Sequence, residues 1–205
     1  MKITSMIVLS LALAVGALSH SKPVVHAEEM LPLSQSGTTP ALVEFWSPTQ
    51  APIQGMVLSM VERDLVYDES DPYFLWSSLY YTISLTGQSD FRVEMSDQYF
   101  SIPEEMVLDY ANAIFENVTK LPEIPDDLHG FISYREETDR YELGLGDMAL
   151  VETRILNVTP MEGNTYQITG VMVDLATEQS FLTYQGILKR DEGMFGFSFQ
   201  DFEIL

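Results

Sequence analysis

Residues 165–204 read TYQITGVMVDLATEQSFLTYQGILKRDEGMFGFSFQDFEI, and this stretch decides the fold. Apolar and polar residues alternate through it, and Thr177-Glu178 and Asp191-Glu192-Gly193 interrupt the alternation. A period of two with short turn-forming breaks predicts antiparallel strands joined by hairpins. Phe195-Gly196-Phe197-Ser198-Phe199-Gln200 is the strictest alternation in the chain. Working outward, the same pattern predicts strands at 131–135, 140–144, 149–158, 165–175, 180–190 and 194–204, with further turns at Glu136–Asp139 and Glu162-Gly163. Connections this short make the sheet an antiparallel meander.

Upstream the period changes to that of helices. Ile53, Met56, Val57, Met60, Val61 and Leu65 recur at three and four, behind Pro52 at a first-turn position. Asp71-Pro72 opens a second helix, whose Phe74, Leu75, Trp76, Leu79, Tyr80 and Ile83 surround most of its circumference, so it should be buried; Gly87 is a stop signal. Phe91–Tyr99 reads as a short strand or hairpin. Ser101-Ile102-Pro103-Glu104 has the form of a capping box for a third helix, with Met106, Val107, Tyr110, Ile114 and Phe115 as its apolar face. Leu121-Pro122-Glu123-Ile124-Pro125 ends it. The class is α+β: three N-terminal helices packed on a curved antiparallel β-meander.

That order of elements over residues 52–205 resembles the cone-shaped nuclear transport factor 2-like architecture. The resemblance implies helices and a bent sheet enclosing a pocket, with the outer face of the sheet available for dimerisation.

Tight turns throughout would align Ile155, Gly170, Gln185 and Phe199 across one sheet face. That register groups Asp174, Thr183, Gln185 and Asp201 beside Phe199 as a candidate binding site, because a concave apolar wall with a few converging polar groups is how ligand pockets are built. The opposite face would carry Val171, Val173, Leu182, Tyr184 and Phe202. This row is too apolar to stand in water, and hence a candidate interface for a homodimer. A slip of one residue at any turn exchanges the faces beyond it.

Composition removes several functions. The 205 residues hold 31 acidic and 10 basic side chains, no cysteine and three histidines. Disulfides, thiol chemistry and cysteine-built zinc sites are excluded, and no metal or cofactor is expected. Nucleic acid is not an expected partner, since beyond residue 27 only Lys120 and Lys189 are lysines. His129, the single histidine there, lies beside Gly130 without a nucleophile motif. Residues 1–27 have the order of a secretory signal: Lys2, an apolar run from Met6 to Leu18, then Val25-His26-Ala27. The apolar run falls short of the ~20 residues that span a bilayer, so no stable membrane insertion is expected after cleavage. Residues 28–51, with three prolines, read as an extended tether, and 52–205 as a single domain. Two glycosylation-type triplets start at Asn117 and Asn157, but a cysteine-free exported domain with a short signal reads as bacterial.

The functional expectation is a secreted, non-catalytic domain that binds a small apolar or amphipathic ligand or a protein partner. The alternative is a small acid–base isomerase or dehydratase, with Asp174 or Asp201 as base and Tyr166 or Tyr184 as hydrogen-bond donor. The signal reading has a direct check. Intact-mass measurement of the exported protein is expected to find a chain beginning at Glu28; a product that retains residues 1–27 removes the secretory assignment.

Overall fold

The computed structural model describes residues 46–145 and 150–205, all within one compact unit. The signal, most of the tether and the tether's Leu42 and Phe45 lie outside the described residues. Among the described residues, three helices accompany two four-stranded antiparallel sheets. Helix α1 spans Gln50–Arg63, α2 Pro72–Thr86 and α3 Glu104–Ile114. The first sheet contains β1 (Glu94–Met95), β2 (Tyr99–Pro103), β3 (Ile132–Arg135) and β4 (Arg140–Gly144), in the order β1-β2-β4-β3. The second is the meander of β5 (Val151–Pro160), β6 (Thr165–Asp174), β7 (Ser180–Arg190) and β8 (Phe197–Ile204). The expected single meander therefore divides: β4 pairs with β2 rather than β5.

Helix α2 is the centre of the packing. Asp71 caps it by accepting the Tyr73 N–H at 2.9 Å, with Pro72 in the first turn, and every residue from Phe74 to Ser84 is buried. A helix apolar around its whole circumference needs neighbours on all sides. Trp76 meets Tyr141 of β4 at 5.0 Å, and Phe74 meets Phe115 after α3 at 6.0 Å. On its remaining side α1 crosses closely at Gly55, where a Cβ would lie 2.8 Å from the Thr82 backbone nitrogen. One continuous core joins the three helices to the inner faces of both sheets.

The capping box expected at α3 does not form. Ser101 is inside β2, paired with Glu142 of β4, and its hydroxyl accepts the Arg140 Nε at 2.8 Å. Strand pairing has claimed the residue, so Pro103 stands at the cap without a side-chain bond and the Glu104 N–H finds the Asp139 carbonyl at 3.1 Å. The first helix begins at Gln50, and Trp46 before it is buried, stacked on Phe197 at 4.3 Å.

The register of the second sheet differs from the tight-turn expectation. Gly170 faces Tyr184 rather than Gln185, and Leu188 rather than Gln185 faces Phe199. The β6–β7 connection is a four-residue loop closed by Asp174 and Gln179, with Glu178 in the left-handed region, and a bulge follows. The β7–β8 connection closes between Asp191 and Gly196, with a second bulge between Ile187 and Leu188 pairings. Each extra residue rotates the following strand by one position. With the observed pairing the inner face carries Ile168, Met172, Tyr184, Leu188, Phe199 and Phe202, all buried, while Arg154, Thr169, Thr183, Gln185, Asp201 and Glu203 point outward. The split is apolar-in and mainly polar-out, with Val171 and Ile187 as half-buried apolar members of the outer face.

Two glycines hold that register. A Cβ on Gly170 would sit 2.3 Å from the Tyr184 ring, and one on Gly186 would sit 2.7 Å from the Phe202 ring. Each ring lies over a backbone with no side chain of its own, and the two rings stack at 5.4 Å. Both edges of the sheet are managed. Gln50 and Gln54 of α1 donate side-chain amides to Thr153 and Val151 carbonyls on β5, at 3.1 and 2.9 Å. Phe115 bridges to Phe199 at the β8 edge. Gly170→Ala is expected to destabilise the fold by about 1–3 kcal/mol in urea unfolding, and Gly55→Ala comparably, because neither ring nor helix backbone can withdraw freely.

Candidate functional site

The outer face of the first sheet is the candidate site. Its inner residues Phe100, Ile102, Ile132, Tyr141 and Leu143 are buried against the helices, which leaves the alternate positions for solvent. Glu94, Ser101, Glu142 and Ser133 form one row across all four strands, and Arg140 and Arg135 pair in the next. Glu94, Ser101, Glu142, Arg140 and Arg135 of these rows, with Met95, Ser96 and Tyr99 on one side and the Glu137-Thr138 turn on the other, line a cleft of ≈ 380 Å³.

Arg140 is fixed before any ligand arrives. Arg140 donates through Nε to Ser101 Oγ at 2.8 Å and through Nη2 to the Ser101 and Arg92 carbonyls at 2.7 and 2.9 Å. Its Nη1 lies 3.5 Å from Glu94. Arg135 reaches Glu142 at 2.6 Å, and this guanidinium holds the Glu142 carboxyl below the usual carboxylate range. At the hairpin below, Tyr134 donates to Asp139, and that bond raises the Tyr134 phenol. A planar guanidinium held by three hydrogen bonds loses little freedom on binding. The arrangement offers hydroxyls, carboxylates, the oriented Arg140 and the Arg135–Glu142 pair over a floor of backbone, which suits recognition. Among the described residues no group of three His, Asp or Glu side chains is placed to hold a metal ion.

The structure separates the residues expected to form a pocket. Phe199 lies on the inner face with no exposed surface, whereas Thr183, Gln185 and Asp201 are on the outer face, and Gln185 bonds Glu203 at 3.1 Å. Asp174 ends β6 and caps the turn that follows, accepting the Ala176 and Thr177 N–H groups at 2.8 Å each. Those donors lower the Asp174 carboxyl, the opposite of the shift a desolvated base requires. The residues expected as an interface also divide. Tyr184, Phe202 and Val173 are buried within the chain itself and Leu182 packs against the core, so they are not available to a second copy; Val171 alone stays on the outer face, half-buried. The cause is the shifted register. His129 is exposed, with Nε2 3.1 Å from the Ile124 carbonyl, and braces the proline-containing loop.

Arg140, Glu142 and Arg135 were visible in the sequence only as the polar half of a period-two pattern, and Ser101 only as a candidate helix cap. Their convergence needs β2 beside β4, a pairing across 39 residues of chain for Arg140 and Ser101.

Fold and site together define an α+β protein built on two antiparallel sheets, with a polar cleft on the smaller one. Comparison with known proteins returns no match: no family model fits the chain, and no curated protein or solved structure aligns with it significantly.

The Asp174 turn has a pH signature. Its folded value is lowered, so its contribution to the hairpin is complete above the unfolded value of ~3.9 and is lost as pH falls through the folded one. NMR titration should place its midpoint below ~3.9, and Asp174→Ala should speed amide exchange at Ala176 and Thr177 without unfolding the sheet.

Proposed function

We propose that this chain is a secreted, non-catalytic binding domain whose ligand or protein partner meets the outer face of the β1–β4 sheet. The observation that carries this reading is the cleft itself: a concave surface whose Arg140 is oriented by the protein's own hydrogen bonds, with Met95 and Tyr99 beside it. Amphipathic chemistry of this kind suits a ligand with both polar and apolar parts. In this reading the helices and bent β5–β8 meander correspond to a nuclear transport factor 2-like cone. Its interior is filled by Tyr184, Phe199 and Phe202, and contact with partners moves to the outside.

Thr138 is in the hairpin turn at the cleft rim. Thr138→Arg would lay a long side chain across the opening without touching the core. NMR screening of the exported chain against a library of small polar and amphipathic compounds is expected to shift amides at Ser101, Arg140 and Glu142, and the substitution should abolish those shifts. Shifts confined to the β5–β8 face, or none at all, would overturn the reading.

A further inference from the structure

The loop before β1 presents the most exposed large apolar side chain described. Phe91 keeps 96% of its surface in water. A lone exposed phenylalanine means little by itself, but the backbone around this one is immobilised on both sides. Asp90 accepts the Arg92 N–H at 2.9 Å and takes the Arg92 guanidinium at 2.8 Å. The same guanidinium reaches Asp109 of α3 at 2.7 Å, and the Arg92 carbonyl accepts Arg140 from within the cleft. The Val93 N–H closes the turn on the Asp90 carbonyl at 3.1 Å. Four charged side chains, Asp90, Arg92, Asp109 and Arg140, hold a turn whose tip is an aromatic ring in solvent, and Met95, 55% exposed, follows it on the short edge strand β1. An aromatic side chain fixed in advance on a rigid support is what an interface anchor requires.

The charge around it selects the partner. Glu94 and Glu137 are on the cleft rim, with Asp90 and Asp109 beneath the loop, while Arg92, Arg135 and Arg140 are each already paired with a carboxylate. The Glu94 side chain is 75% exposed and reaches Arg140 only at 3.5 Å, so it can take a second cation. The chain as a whole carries a formal charge of −21. An anionic surface, lipid included, is repelled from such a field, and a cationic one is drawn to it.

We infer that Phe91 and Met95, with the adjoining carboxylates Glu94 and Glu137, form the docking surface for a cationic amphipathic segment of a partner protein. An apolar residue of the partner covers Phe91, and neighbouring lysine or arginine side chains meet Glu94 and Glu137. The inference rests on the binding role proposed above for this face and names the partner's chemistry.

The test titrates the exported chain with a model peptide alternating leucine and lysine, and with its counterpart carrying glutamate for lysine, followed by amide shifts. The lysine peptide is expected to shift residues 91–96 and to bind more weakly as salt rises; the glutamate peptide should not bind. Phe91→Ser should weaken binding at least about tenfold, as loss of a hot-spot aromatic does, with the thermal midpoint unchanged because the side chain is exposed. Glu94→Gln with Glu137→Gln should weaken it and flatten the salt dependence. Undiminished binding by Phe91→Ser, binding of the glutamate peptide, or binding to phosphatidylglycerol vesicles overturns the inference. If Phe91→Ser is without effect while Thr138→Arg abolishes small-ligand shifts, the docking inference fails and the cleft reading stands. If Thr138→Arg also leaves every contact intact, the cleft reading fails as well.

Discussion

Tyr184 lies across Gly170 on one neighbouring strand, and Phe202 lies across Gly186 on the next, and the two rings stack on each other. Almost everything else in the second sheet depends on this arrangement. A ring can occupy that space only where the facing residue has no side chain, so each glycine admits one partner and excludes the shifted pairings on either side. Once the two pairs are set, Leu188, Phe199 and Met172 fall on the same side as the rings. The polar positions Thr183, Gln185 and Asp201 fall on the other. The sheet then has one face for the helices and one for water.

The helices follow from the need to cover that inner face and the inner face of the smaller sheet at once. Helix α2 is buried along most of its length because it stands between α1, the exit of α3 and β4. Its close approach to α1 at Gly55 lets α1 lie along the edge of β5, where two glutamines take the place of a further strand. Polar side chains are thus used where backbone groups would otherwise be left open, and aromatic ones where glycine leaves space. The same economy governs the smaller sheet: its apolar half is committed to Trp76 and the α3 region, which leaves an outer surface whose polar groups are free to converge.

Charge acts on this surface differently from packing. With three times as many acids as bases in the chain, a surface cation finds a carboxylate nearby with ease, and Arg92, Arg135, Arg140, Arg154 and Lys189 all do so. Most of these pairs have one side chain open to water, which limits what they contribute to stability. Their effect is to orient. Arg140 ties β2, β4 and the loop after α2 into one rigid rim, and Arg92 fixes the turn at Phe91.

By itself the sequence determined the class and order of the elements. Alternation, turn residues and the Asp71-Pro72 helix start act between neighbours, and local rules find α1, α2 and the four long strands, although Phe195-Gly196, expected inside the last strand, belong to the turn before it. What tertiary structure decided was which residues face one another. Loop closures at Asp174–Gln179 and Asp191–Gly196, and bulges within the ladders, add single residues that no turn rule counts, and each one exchanges the sheet's faces. That is why Tyr184 and Phe202, legible as a surface row, are core, and why Asp174, legible as a pocket residue, binds its own turn. The mid-strand glycines were the local trace of the true register, since a strand interior keeps glycine only where something else needs its space. The cleft left no such trace, because Ser101 meets Arg140 only when a strand before α3 pairs with one after it. That choice is made by burial of Phe100, Ile102, Tyr141 and Leu143 together, not by any residue alone.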